Sequence, residues 1–498
     1  MSQPARVIRL SPADLRLEAP HGSSLQDALF AQGVEFPCGG RGRCKGCRIK
    51  VIGGSLTVTD EEARLLTPSE IGDGWRLACR HTVTSDLQLE LAQWEMPILE
   101  DRSPFAFTPR DGLGIAVDVG STTIVGQLLD RRSGHILAVR SALNAQARHG
   151  ADVMSRIEFA LRGGQPELKT LVRDQIGEMI AQLLAHALSS VPLARVALVG
   201  NTVMHHLFCG VNVEPLAHHP FEPKQPGRFQ FSPAELRWNL PPTTVEFLPC
   251  LSGFVGSDIL AGIVATGLHQ SRELAALIDL GTNGEIVIGN RDRLLCASTA
   301  AGPAFEGARI SMGMRAARGA IDDVRVDHGA LVCRVIGGGV PRGICGSGLV
   351  DAVAAGLELG WIGPNGRMTA GDTIRLADPV SLTQNDVREL QLAKGAIAAG
   401  LRILARRLGV SLDDIARIHL AGAFGNYISR ASARRIGLLR FPADRIVPTG
   451  NTALLGAKRA LFEDAADWES IRQRVEHVPL NEDPEFQTIF AAEMQFPS

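Results

Sequence analysis

Several features that classify proteins at once are missing from this sequence. No uncharged apolar run reaches the ~18 residues a membrane span needs, and MSQPARVIRLSPADLRLEAP at the N-terminus has no apolar signal-peptide core. Neither secretion nor membrane insertion is therefore expected, and a cytoplasmic location is. Charge of one sign is also lacking: 51 basic against 53 acidic side chains leave a net −2, which argues against a nucleic-acid partner. Aromatic residues make up only 5%. A disulfide framework is excluded by cysteine usage. There are 9 cysteines, an odd number, and Cys209, Cys250, Cys296, Cys333 and Cys345 are scattered singly.

What is present is a soluble composition, 45% hydrophobic and 21% charged, over 498 residues. That length exceeds one core, so about two to four domains are expected. Glycine is abundant at 53 residues, which suits tight turns and close approach of backbone to ligands.

The remaining four cysteines form a pattern. PCGGRGRCKGC at 37–47 holds Cys38, Cys44 and Cys47 as C-x5-C-x2-C, and Cys79 follows alone in GWRLACRH. Zinc knuckles usually bring thiols as two C-x2-C-like pairs. Three thiols on one segment and a fourth from elsewhere suit a ferredoxin-type [2Fe–2S] cluster better, with zinc as the weaker reading. The interspersed glycines allow left-handed backbone and N–H groups turned toward sulfur. Alternating strands RVIRLS, LRLEA, CRIKVIGG, WRLACR and LQLEL, with helical SLQDALFAQG, predict a small α+β domain of β-grasp type over residues 1–95. Arg41, Arg43 and Lys45 could dock an acidic partner or simply be solvated. Residues 96–112, with three prolines in MPILEDRSPFAFTPRDG, read as a linker.

Beyond the linker one unit occurs twice. GIAVDVGSTTIVGQLLD at 114–130 and LIDLGTNGEIVIG at 277–289 each run strand, Asp-x-Gly-[Ser/Thr]-[Thr/Asn], strand. Glycine lets amides approach a phosphate, hydroxyls add donors, and the strand-end carboxylate can hold Mg²⁺ or orient water. A strand follows the glycine, so this is neither a Walker loop nor a dinucleotide fingerprint. A third element, RIHLAGAFGN at 417–426, reads as a strand entering a Gly-Ala-Phe-Gly turn, where bare backbone could lie against a purine and ribose. AKGAIAAGLRILARRLGV at 393–410 reads as a close-packing helix.

In this order the elements resemble the actin, sugar-kinase and heat-shock-chaperone ATPase superfamily. The resemblance implies an α/β, two-lobed, ribonuclease-H-like fold with ATP and Mg²⁺ between the lobes. The lobes would be 113–270, with insertions, and 271–480, followed by a tail at 481–498. Asp118 and Asp279 would then be catalytic, facing Mg²⁺ and phosphate. Gly120, Ser121, Thr122, Thr123, Gly281, Thr282, Asn283 and Gly284 would cradle the phosphates. Gly422, Ala423, Phe424 and Gly425 would line the nucleoside, and Gly346 and Ser347 would contribute from PRGICGSGLVD.

A ferredoxin domain joined to such an ATPase is similar to the reductive activators of corrinoid-dependent methyltransferases. The resemblance spans nearly the whole chain, including NAQARHGADVMSRI, ALVGNTVMHHL and HLAGAFGNYI. It implies one-electron reduction of a stranded Co(II) corrinoid to Co(I), driven by ATP. The partners implied are a corrinoid protein or its methyltransferase and an external donor (a reductase, flavodoxin or ferredoxin), with a homodimer as an allowed assembly. The linker would let the cluster domain swing between donor and corrinoid. Archaeal members carry C-terminal [4Fe–4S] motifs; here no cysteine follows Cys345.

Other readings remain. An ATP-driven donor to a different metalloenzyme, such as the 2-hydroxyacyl-CoA dehydratase activators, would lack the ferredoxin domain. An oxygenase reductase component would need a G-x-G-x-x-G after a strand, which is absent. A chaperone-like module would have little use for four thiols. Among single residues, Ser347 could contact nucleotide, present an oxygen to the partner's cobalt, or cap the helix that follows. Cys345 reads as packed, and His205, His206, His218 and His219 as structural. Asp152, Arg156 and Glu158 read as the solvated face of a helix at 151–162, and Glu306, after a Gly-Pro turn near the second hairpin, as a nucleotide contact.

Overall fold

The computed structural model describes every residue except 1–4, 12–14, 31–33, 35, 37–39, 41, 43–44, 46, 92–104, 151, 188–190, 282, 300, 308, 370 and 498. Cys38, Cys44, Arg41, Arg43, Thr282 and most of the expected linker thus lie outside the described residues.

The N-terminal domain is a five-stranded sheet in the order β2-β1-β5-β3-β4, built from β1 (Arg6–Ser11), β2 (Leu15–Ala19), β3 (Arg48–Gly53), β4 (Trp75–Leu77) and β5 (Leu87–Leu91). β1 and β5 run parallel and the other pairs antiparallel, as in a β-grasp fold. Alternation works as expected in β5, where Leu87, Leu89 and Leu91 point inward and Gln88 outward. They meet Leu25, Leu29 and Phe30 of the helix Leu25–Phe30 in one core.

Two six-stranded sheets make the lobes. The first contains β6 (Leu113–Val119), β7 (Thr123–Asp130), β8 (Ile136–Leu143), β9 (Leu193–Val199), β10 (Phe229–Phe231) and β11 (Thr244–Phe247), in the order β10-β11-β9-β6-β7-β8. Here β6-β7-β8 is an antiparallel meander, with β9 parallel to β6 and β11 parallel to β9. The second lobe repeats the plan with β12 (Ala275–Leu280), β13 (Gly284–Gly289) and β14 (Leu294–Thr299) as its meander. Between that meander and its outer strands lie β15 (Ala320–Asp327), β16 (Ala330–Val335) and β17 (Gly343–Ile344), a separate three-stranded sheet, and the hairpin β18 (Thr373–Ala377) and β19 (Val380–Thr383). β20 (Arg417–Ala421), parallel to β12, then β21 (Ile446–Gly450) and β22 (Val475–His477) complete the second large sheet. Each lobe is thus ribonuclease-H-like. The doubled strand–turn–strand unit is the first hairpin of each meander.

The lobes meet through the helices Ser257–Thr266 and Thr452–Ala460, which pack together. Gly456 makes this possible, since a Cβ there would lie 2.6 Å from Ala261 Cα. Residues 481–497 pack on the second lobe. The helix Phe486–Glu493 lies on Gln384–Leu408, and Phe496 is buried in that lobe's core. The end of the linker is anchored too, with Phe105 and Phe107 rings 5.5 and 4.6 Å from that of Phe462.

Local details differ from expectation. Cys79 sits not in a strand but in the 3₁₀ turn Ala78–Arg80 that follows β4. The Gly-Ala-Phe-Gly segment is not an open turn: it is the start of a short helix, Gly422–Tyr427, entered directly from β20. Ser347 is not a helix cap. Cys345 occupies the cap position, and Ser347 is already inside the helix Gly346–Glu358. Arg156 is fully buried rather than solvated; Asp152, the exposed N-cap of its helix, and Glu158, paired with Arg162, follow the expected surface pattern. His205 and His206 are core residues, their Nδ1 atoms 3.2 Å apart beside Phe247. Burial pushes their pKa values down to about 3 and about 4, so both are neutral.

Candidate functional site

Both hairpins deliver their turns into one cleft of about 320 Å³ between the lobes. β6 ends in Asp118, and Gly120, Ser121, Thr122 and Thr123 line the cavity. Gly120 is required sterically, since a Cβ would lie 2.5 Å from Thr123 O. β12 brings Asp279, and its turn adds Gly281 and Asn283, with Gly281 N donating to Asn283 O at 3.1 Å. At Gly281 a Cβ would meet nothing nearer than Asp279 Oδ1 at 3.6 Å. The protein itself does not demand glycine there, and the side left bare faces the cleft.

Gly422, Phe424, Gly346 and Ser347 form the opposite wall. Gly422 has φ +83°, and a Cβ would stand 2.6 Å from Asp279 Oδ1. Phe424 is stacked on Phe305 at 4.5 Å, and Gly346 leaves room for that ring. Ser347 Oγ donates to Asp322 O at 2.9 Å and lies 3.2 Å from Cys345 Sγ. Glu306 also lines the cavity. Gly284 and Gly425 do not: they face Thr299 and Leu420 behind the wall. The side chain of Ala423 is outside the described residues.

Sequence reasoning missed several lining residues. Asp258 sits at the start of the helix Ser257–Thr266, and Glu285 is the second residue of β13. With Asp118 and Asp279 they make four carboxyl groups at the cleft floor, deep below the surface yet partly open to the cavity. Burial, reinforced by Asp118 and Asp279, pushes Asp258 up to about 7. Burial with Asp118 raises Asp279 to about 7. Burial raises Asp118 to about 6 against a 2.9 Å hydrogen bond from Asn451 Nδ2. Glu285 is raised well above the usual carboxylate range by burial and its two acidic neighbours. So much repelling negative charge favours a cation. Among the described residues no three carboxylate, thiol or imidazole groups are close enough to hold a metal by themselves. Mg²⁺ keeps several waters and takes one or two carboxylates plus phosphate oxygens, so Asp118 and Asp279 would suffice for it.

Asn451 had a visible signal. The string Gly-Asn-Thr occurs at 200–202 and 450–452, each asparagine caps a helix, and both line the cleft. Asn201 accepts from Met204 N at 3.0 Å, and Asn451 from Leu454 N at 2.8 Å.

In the N-terminal domain, Cys47 is buried and Cys79 half-buried, and Ala78 N donates to Cys47 O at 3.1 Å. The turn carrying Cys79 is pinned by Glu62, which is fully buried and accepts from Leu77 N at 2.6 Å, with His81 Nε2 at 2.8 Å. Burial would raise the Glu62 pKa, but His81, Leu77 N–H and Thr59 N–H hold it below the usual range. Gly40 and Gly42, at φ +74° and +64°, have the left-handed backbone expected beside a cluster. At Gly42 a Cβ would lie 2.8 Å from Arg80 Cδ. Among the described residues, Cys47, Cys79 and the two left-handed glycines fit a [2Fe–2S] group. Lys45 is paired with Glu70 at 3.0 Å.

Residues 8–84 match the 2Fe-2S iron-sulfur cluster binding domain, 113–271 the RACo middle region, and 273–498 the C-terminal domain of RACo, the ASKHA domain. The chain is 38% identical to corrinoid activation enzyme RamQ of Eubacterium limosum over 75% of this chain and 68% of that one. It belongs to the family of corrinoid activation enzymes. The Methanosarcina barkeri [Co(II) methylated amine-specific corrinoid protein] reductase is 29% identical over 70% of each chain. A solved reductive activator for corrinoid,iron-sulfur protein superposes with a TM-score of 0.68 and 27% identity, over 99% of this chain and 98% of its own. The activator therefore joins a [2Fe–2S] domain to an ATP-binding, two-lobed fold. No helix among its described residues is long and apolar enough to cross a membrane.

Proposed function

We propose that this activator binds MgATP in the cleft and uses it to drive one electron from its N-terminal domain onto Co(II) of a corrinoid protein, giving Co(I) for methyl transfer. The observation that carries this reading is the pairing, on one chain, of a four-cysteine domain with a cleft whose floor gathers acidic groups from both lobes. Cys38, Cys44, Cys47 and Cys79 hold the [2Fe–2S] cluster, which supplies one electron at a time at roughly −400 mV for plant-type ligation. Asp118 and Asp279 place Mg²⁺ against the phosphates, while amides of the Gly120 and Gly281 turns receive phosphate oxygens. Phe424 and Gly422 present the nucleoside wall. The electron is restored by an external low-potential donor, a reductase, flavodoxin or ferredoxin.

The test uses anaerobically reconstituted protein, a Co(II) corrinoid protein, excess reductant and MgATP. Growth of the Co(I) absorbance only when nucleotide and cluster are both present is expected. Equal rates without nucleotide, or no reduction with a fully loaded cluster, would overturn the reading.

A further inference from the structure

The cluster domain touches both lobes, and each contact leads directly to a different wall of the cleft. On the first lobe, the 3₁₀ turn Ala145–Arg148 lies against the cluster domain. Ala147 is part of that domain's hydrophobic core, and Ala145 packs on it. The Arg148 guanidinium stands 5.3 Å over the Phe30 ring, and Gln26 Nε2 donates to Arg148 O at 3.4 Å. Gln26 is itself a neighbour of the cysteine-bearing segment: a Cβ at Gly40 would run into its side-chain amide.

This same turn is bonded to the first phosphate hairpin. Asn144 caps it, takes Thr122 O with its own N–H at 2.8 Å, and donates Nδ2 to Gly120 O at 2.8 Å. Buried Arg156 donates to Ser121 O, to Gly150 O at 3.0 Å and to Gln146 Oε1 at 3.2 Å. Two hairpin carbonyls are thus held by the cap of the turn on which the cluster domain rests, and the one between them by Arg156, which also bonds Gln146 of that turn.

On the second lobe the contact is Arg342, which donates to Glu90 Oε1 at 2.6 Å and Leu91 O at 3.1 Å. Arg342 precedes β17, which runs into Cys345 and then Gly346 and Ser347 of the opposite wall. A rigid domain bonded to both lobes cannot keep both contacts if the lobes change their separation. Relative motion is also the default expectation for domains joined within one chain.

We propose that the cluster domain is docked as a bridge across the two lobes through Arg148 and Arg342, and that nucleotide closing the cleft breaks this bridge and frees the electron-carrying domain. The proposal rests on the reading that the cleft binds MgATP. It adds what binding does to the cysteine-bearing domain.

The test is hydrogen–deuterium exchange on the full chain with its cluster loaded, with and without the non-hydrolysable analogue MgAMPPNP, alongside calorimetry for the nucleotide itself. Faster exchange at residues 25–30 and 145–150 on adding analogue is expected. R148A and R342A, neither of which lines the cleft, should bind the analogue within twofold of the parent affinity. Each should exchange fast at 25–30 from the outset, with the analogue's effect lost. Analogue binding with unchanged exchange at 25–30 in the parent chain would overturn the bridge while leaving the nucleotide reading intact. Calorimetry without binding would overturn the nucleotide reading, and the bridge with it.

Discussion

Asp279→Asn should stabilise the protein and disable it, and the size of the first effect follows from the cleft. In the native fold the Asp279 carboxyl is raised from 3.8 to about 7 by burial and by Asp118. A raised carboxyl is held protonated by the fold, so its ionisation opposes folding. The stability is present below about pH 4 and lost as pH rises through about 7. Each pKa unit is worth about 1.4 kcal/mol, so the interval from about pH 5.5 to about pH 7 removes about 2 kcal/mol. For a domain of this size that is a fall in Tm of about 4–8 °C. Buried His205 and His206 titrate with the opposite sign, losing stability as pH falls below about 6.5. The informative quantity is therefore the difference between parent and variant, measured by thermal unfolding without divalent cation from about pH 5.5 to about pH 8. The Asn variant should melt higher than the parent at pH 8, the gap should narrow by about 4–8 °C on going to pH 5.5, and the two proteins should become equal only toward about pH 4. Adding Mg²⁺ with nucleotide should raise the parent's Tm and leave the variant's nearly unchanged. Parallel pH profiles, or equal stabilisation of both proteins by MgATP, would refute the claim that repelling carboxylates make this cleft a cation site.

Two further outcomes can be checked directly. Gly422→Ala forces a side chain into left-handed backbone, at a cost of about 1–2 kcal/mol, and puts its Cβ 2.6 Å from Asp279 Oδ1 and 2.7 Å from Leu280 O. Nucleotide affinity by calorimetry should fall at least tenfold, about 1.4 kcal/mol, and an unchanged Kd would remove Gly422 from the site. Cys79→Ser should reduce iron content and the visible cluster absorbance while nucleotide affinity stays at the parent value. The Glu62 network that shapes its turn is bonded to Leu77 and His81, so the domain fold should survive.

The parts of the site legible in sequence were those made by one short segment each. A strand ending in Asp-x-Gly-Ser-Thr carries its own turn chemistry, so Asp118 and Gly120 could be placed without knowing their neighbours. Asp258 could not, because its meaning comes from standing beside Asp118 and Asp279, which lie on other elements and other parts of the chain. Arg156 misled for a related reason. Helical spacing in SRIEFALR correctly suggested a charged surface, and Glu158 pairs with Arg162 there. Yet the carbonyls that Arg156 satisfies, Ser121 O and Gly150 O, leave no trace in side-chain identity. The cap reading of Ser347 failed locally: backbone geometry puts the cap two residues earlier, at Cys345, freeing the serine hydroxyl for Asp322 O at the cleft wall.

The distribution of the acidic groups bears on how nucleotide could do work at all. Turning a two-state equilibrium from 1:99 to 99:1 takes about 5.5 kcal/mol of differential binding, so the ligand must find much better contacts in one arrangement of the lobes. Asp118 comes from the first sheet, Asp279 and Glu285 from the second, and Asp258 from the helix that crosses between them. A cation with its phosphates can neutralise carboxyl groups from both sheets together only when the sheets are close. Asn451 acts in the same sense, reaching from the second lobe to hold Asp118 of the first at 2.9 Å. Repulsion among these carboxyl groups is thus what would make MgATP prefer closure. A cluster domain bonded to both walls would receive that preference as movement.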